Sequence, residues 1–195
     1  MAEIKSTLEK AMERLARMGE VSSQEIAEEE SLKRGMRLAA EYLSKSRATL
    51  AEALVGQGPA EQRQLRKGMV QTLLRNIVLP RDEVNQAATM AMAGLMELAG
   101  AAGDMATIFG EMQQILERYV GQRTELRRQL EGALRQQLEM AMARQPGGQA
   151  DPGVKIDPTR HPRFAEEWQR IQSDLTDQYS RALNQYKELI TQRLA

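Results

Sequence analysis

The chain reads as all-α: a helical bundle with one long coiled-coil-like helix, then a C-terminal helix beyond a Pro-rich loop. Three observations predict this. Aromatics make up only 4% of the 195 residues, while Ala, Leu, Gln, Glu, Arg and Met abound, the composition of long helices. Apolar residues recur at alternating steps of four and three, the helical period. No segment shows the strict alternation of a half-buried strand. The length suits one medium domain, or a small domain with an extension.

The first helix is expected at 3–18, where Ile4, Leu8, Ala11, Leu15 and Met18 share a face and Gly19 comes next as a stop. Ser22 with Glu25 has capping-box spacing, which opens a second helix to about Val55 with Ile26, Leu32, Met36, Ala40, Leu43, Leu50 and Leu54 on its apolar side. "GQGPAE" (56–61) is a turn, and Pro59 starts a third helix where proline is tolerated. That helix uses Leu65, Met69, Val70, Leu73, Ile77 and Val78, and ends against Pro80. Asp82 can cap a fourth, longer helix.

The stretch "MAMAGLMELAGAAGDMATIFG" (90–110) is too interrupted to span a membrane. The longest uncharged run is Val84 to Met96, Glu97 ends it, and a span needs about 20 apolar residues. Its spacing is informative instead. Steps of four and three from Val84 meet Ala88, Ala91, Leu95, Leu98, Ala102, Met105, Phe109, Met112, Leu116, Tyr119, Arg123, Leu126, Leu130, Ala133, Gln137 and Met140. Only Arg123 and Gln137 interrupt this seam, and such residues fix register or oligomeric state in coiled coils. The register passes through "GAAGD" unbroken, which predicts one helix over about 82–144, with any kink at Gly100–Gly103. The apolar stripe is wide over 91–120 and narrows over 121–140, so the helix runs from a bundle core into an arm with one partner.

Residues 145–163 hold four of the six prolines and form the one clear loop. The C-terminal amphipathic helix (164–195) repeats every eleven residues: Phe164, Leu175, Tyr186; Trp168, Tyr179, Ile190; Ile171, Ala182, Arg193. That period implies an almost straight path, and the aromatics concentrated here require a partner. The tail either folds back on the long helix as an antiparallel hairpin arm or pairs with the tail of a second chain. The domain reading is thus a bundle over 1–144, a loop over 145–163, and this helix.

The composition excludes several kinds of chemistry. There is no cysteine, and Lys+Arg and Asp+Glu balance at 27 each, so neither thiolate sites nor a global pull on nucleic acid is expected. The single histidine, His161, lies in the Pro-rich loop and reads as a solvated residue. No Glu-x-x-His pair, phosphate-binding Gly-rich loop or nucleophile elbow occurs. Glu28–Glu30 with Glu25 reads as a solvated face rather than a cation site. No enzyme, cofactor or metal is expected.

Three surfaces are candidates for binding. A protein partner, or a second copy of the chain, could meet Val154, Ile156 and Arg160 in the loop and Phe164 and Trp168 beyond it. Alternatively Met90, Met92, Met96, Met105 and Met112 could line a groove for an apolar client helix. A basic run, Gln62–Arg81, contains Arg63, Arg66 and Lys67 on one side and no acid. It could touch phosphates, but no aromatic accompanies it for stacking, and the acidic first 30 residues could meet it instead. The polar faces carry both signs, which argues against an anionic membrane surface. The favoured reading is a non-catalytic scaffold, adaptor or assembly protein acting through helix–helix contacts. With no secretion signal in the N-terminal residues, the expected location is the cytoplasm.

The opening "MAEIKSTLEKAMER", the acidic stretch after it, and the aromatic-bearing helical tail after a Pro-rich loop resemble a group of bacterial all-helical proteins of unknown function. The resemblance implies a bacterial cytoplasmic origin and transfers no activity or site residue.

Overall fold

A computed structural model describes residues 7–83, 85–100, 103–143 and 157–194, with side chains from residue 23 onward and at Met12. The described residues form five α-helices: α1 (Thr7–Leu43), α2 (Pro59–Asn76), α3 (Gln86–Ala99), α4 (Met105–Ala143) and α5 (Pro162–Leu194). Short 3-10 turns lie at Ala51–Leu54 and Pro158–Arg160, and no strand occurs among the described residues. The all-α expectation holds.

The helix boundaries differ from the sequence reading most at three places, besides the end of α2 at Asn76, short of Pro80, and the start of α3 at Gln86, past the expected Asp82 cap. First, α1 runs straight through Gly19 and Ser22, so neither the glycine stop nor the capping box acts as a boundary. A glycine costs a helix interior only about 1 kcal/mol, which a 37-residue helix tolerates. Second, α1 stops at Leu43 rather than near Val55. Ser46 N–H donates to the Glu41 carbonyl and Lys45 N–H to that of Tyr42, while Lys45 adopts φ 62°. This is a Schellman motif with lysine where glycine is usual, so the sequence carries no obvious stop. Third, the helix expected over 82–144 is two helices. Gly100 ends α3 with φ 62° and donates its N–H to the carbonyls of Met96 and Glu97, the left-handed C-terminal cap that glycine favours. The interruption falls at the expected kink. Heptad spacing survives it because the missing turn leaves the count of residues unchanged.

The chain divides into two compact units. One contains Met1–Ile77, Ala87–Met105 and Leu189–Ala195, and the other Val78–Gln86 with Ala106–Glu188. The units therefore interleave along the sequence.

In the first unit α1 and α2 lie antiparallel in unusually close contact. A Cβ on Gly35 would collide with the Leu65 carbonyl oxygen, and a Cβ on Gly68 with that of Leu32. The two contacts are reciprocal, and so are the sequences that make them, Leu32-Lys-Arg-Gly-Met36 and Leu65-Arg-Lys-Gly-Met69. α3 covers the pair. At Gly94 a Cβ would meet Tyr42, Leu50 and Leu73 at 3.0–3.2 Å, and Leu65, Met69, Val70, Leu73, Ala88, Ala91 and Leu95 are fully buried. Glu97 Oε1 accepts the N–H groups of Leu50 and Ala51 at 2.7 and 2.8 Å, which supplies the start of the first 3-10 turn with the acceptor it lacks locally.

The antiparallel register has a further consequence. With Gly35 opposite Leu65, the end of α2 at Asn76 lies level with about residue 24 of α1. Residues 7–23 extend past it by about 25 Å. Ser23 through Ala27 are exposed in succession. Met12 and Ile26 are 64% and 57% exposed.

In the second unit α4 and α5 form an antiparallel hairpin. Tyr119 and Tyr179 meet edge-to-face with ring centroids 5.5 Å apart. Tyr119 Oη and Thr176 Oγ1 are 3.1 Å apart, and Tyr179 donates to Gln122 Oε1 at 2.7 Å. Seam residues Phe109, Met112, Leu116 and Tyr119 are buried as expected. Beyond them the covered positions shift to Leu126, Leu130, Leu134 and Leu138, while Ala133, Gln137 and Met140 are exposed. Steps of four replace alternating steps, so distal α4 drifts toward the longer period of α5. In α5 the third buried column contains Leu183 and Leu194, one residue beyond the expected Ala182 and Arg193. Arg193 is exposed and pairs with Asp104 within the first unit.

The reciprocal glycines give a test with opposite signs. Gly35→Ala and Gly68→Ala each place a methyl against backbone that cannot move aside, and are expected to lose about 1–3 kcal/mol in urea unfolding. Gly121→Ala in α4 meets open space and is expected to gain up to about 1 kcal/mol. Equal signs for the two classes would contradict the packing described.

Candidate functional site

The residues singled out from sequence do not converge on one place. Val154 and Ile156 fall outside the described residues. Arg160 is exposed and pairs with Asp157 at 3.5 Å. Asp157 also accepts the N–H and hydroxyl of Thr159 at 3.0 and 2.6 Å. These bonds, then the nearby Arg160 and Arg135, hold its carboxyl below the usual range. His161 Nδ1 accepts the Arg163 N–H at 3.3 Å, so the lone histidine caps the start of α5. Phe164 is buried and belongs to the core, which corrects its expected role as a partner contact. Trp168 is half-buried beside the guanidinium of Arg123, 5.8 Å from ring centroid to Cζ.

The methionines do not form an open groove. Met92, Met105 and Met112 are in the core, Met90 is half-buried, and Met96 is 44% exposed. A client helix could reach the buried three only by opening the packing that they complete. The helical period that suggested a groove is the period of a core stripe.

The basic run also divides. Arg63 and Lys67 are exposed, but Arg66 is half-buried and donates to the Leu98 carbonyl at 3.0 Å. It satisfies one of the acceptors left free at the end of α3, next to the Gly100 break. A cation doing this is a structural cap and not part of an open phosphate-binding row. Other charges pair within their own helices: Lys33 with Glu29, Arg127 with Glu131, and Arg128 with Glu125. Hydrogen bonds from Arg128 and then Gln129 pull the Glu125 carboxyl down to about 2. Glu28 accepts from Gln64 at 3.1 Å, so the acidic triplet is a hydrogen-bonded, solvated face.

What sequence reasoning missed is the reach of Arg123 and the length of α1 beyond the end of α2. Arg123 Nη1 lies 3.2 Å from Asp82 Oδ1, and the arginine side chain is 19% exposed. The signal was partly present, since a charge inside an apolar seam demands a partner, but nothing in the spacing names Asp82, 41 positions away. Among the described residues no group of three or more His, Asp or Glu could hold a metal. No described helix is long and apolar enough to cross a membrane.

Arg66 and Lys67 distinguish scaffold from binding surface. Arg66→Ala is expected to cost about 1–3 kcal/mol through the lost charged hydrogen bond, and Lys67→Ala less than about 0.5 kcal/mol, both read from denaturant midpoints.

Comparison with known proteins places the chain without assigning an activity. Residues 51–192 match the profile of a family of unknown function (DUF6657). The match does not include the first 14 residues, so the resemblance built on them stands apart from it. No curated protein and no solved structure matches the chain.

Proposed function

The chain belongs to the DUF6657 family, and from that premise we propose that it is a non-catalytic scaffold or adaptor working through helix–helix contacts. The observation that carries this reading is the run of exposed residues in α1 beyond the end of α2. An isolated helix is marginal in water on its own, and Gln24 through Ala27 are exposed in succession. In the sequence Ile4, Leu8, Ala11, Leu15 and Met18 recur at alternating steps of four and three. That pattern is the seam of a two-helix contact, and α2 ends before it. A partner helix, from another protein or from a second copy, would bury it.

The test uses the full chain with Leu8→Asp and Leu15→Asp together. The substituted protein is expected to keep its unfolding free energy to within about 0.5 kcal/mol, as positions that serve a partner rather than the single chain's own fold would. It is expected to lose the complexes that the unsubstituted chain forms, measured by light scattering for self-association and by cross-linking with mass spectrometry for other partners. Complexes that persist unchanged in the substituted chain, or a chain that forms none by either method, would overturn the reading.

A further inference from the structure

Residues 78–83 join α2 to α3 without regular structure, yet Val78–Gln86 groups with the α4–α5 hairpin. Pro80 is buried and Leu79 half-buried, so the segment is seated. Its polar tie to the hairpin is the ion pair of Asp82 with Arg123 at 3.2 Å. The pair is lopsided. The Asp82 side chain is 90% exposed, whereas that of Arg123 is 19% exposed, beside the Trp168 ring. Arg123 Nε is buried with no hydrogen-bond partner.

We propose that this segment is a strap that opens and closes on the hairpin, with Arg123 as its latch. Asp82 is already hydrated and gives up little when the pair separates, since exposed ion pairs are weak and screened. For Arg123 the closed state has a cost as well as a benefit. One nitrogen of the guanidinium gains a carboxylate, while another is removed from water with nothing in exchange. The pair is therefore a weak tie over a segment seated by Pro80 and Leu79, and charge and salt set its strength. The inference does not depend on the scaffold reading, because it concerns the second unit alone.

The experiment compares the full unsubstituted chain with Asp82→Asn, a change at an exposed position that leaves the core intact. Amide hydrogen exchange over 78–83 is expected to quicken about two- to fivefold in the variant. Trp168 is the only tryptophan, so acrylamide quenching of its emission is expected to rise in parallel. Salt at 1 M shortens the Debye length to about 3 Å and is expected to bring the unsubstituted chain to the variant's values, while the variant itself does not respond. Exchange over 78–83 that is the same in both proteins overturns the proposal. So does an equal quickening over 116–126 and 168–179, because the pair would then brace the hairpin instead of latching a strap. A variant that still responds to salt also overturns it, because Asp82 would not be the group that holds Arg123.

Discussion

The approach of α1 to α2 at Gly35 and Gly68 is the constraint on which the first unit depends. Helices whose interface carries larger side chains pack 8–10 Å apart. Here each glycine sits against a carbonyl oxygen of the other helix, which only a residue without a Cβ permits. Two such contacts, one at Leu65 and one at Leu32, set both the separation and the register of the pair. Leu65, Met69 and Leu73 are then fully buried, Leu73 against Gly94 of α3. The same register carries residues 7–23 of α1 past the end of α2.

How much of the fold is legible in the sequence depends on whether a feature is local. The start of α2 at Pro59 and the span of α5 are set by residues next to the boundary, and both agree with the sequence reading. The end of α1 does not. Its terminating residue is Lys45 in a left-handed conformation, for which the residue type gives no signal, and the turn is supported from a distance by Glu97 on Leu50 and Ala51. Gly19 shows the opposite error, a residue that usually marks an end sitting inside a helix. At Gly100 the residue type is informative and the heptad count misleading. A periodic pattern records which residues face inward, and it records this equally for one helix or for two in succession. The reciprocal Leu-x-x-Gly-Met segments are visible as a repeat, but only the structure shows that they pack on each other.

The candidate surfaces show the same limit for composition. Methionines at helical spacing suit a groove or a core equally well, and the difference is whether another helix lies over them. Basic residues in a row suit phosphate or an ordinary solvated face, and Arg66 belongs to neither, since it caps α3. In both cases the deciding partner is far away in sequence, Leu98 for Arg66 being 32 positions on. One expectation that drew on the tail's composition agrees with the structure. The concentration of aromatics in the tail demanded a partner, and Tyr119 supplies it by meeting Tyr179 and Thr176.

Arg123 is the seam residue in which local pattern and distant partner meet. In a heptad seam a charge is costly unless paired, and in two-stranded coils it is retained where it selects register or partner. Its neighbours here come from three parts of the chain: its own helix, Trp168 on α5 and Asp82 before α3. An apolar residue at 123 would serve the hairpin alone, since Leu116 and Tyr119 already bury well without charge. What an apolar residue would not do is hold the segment between α2 and α3. The charge in the seam is therefore better understood as a connection to that segment than as a register device for the hairpin. It links an interruption in the sequence pattern to a stretch where the chain passes between two helices without forming one of its own.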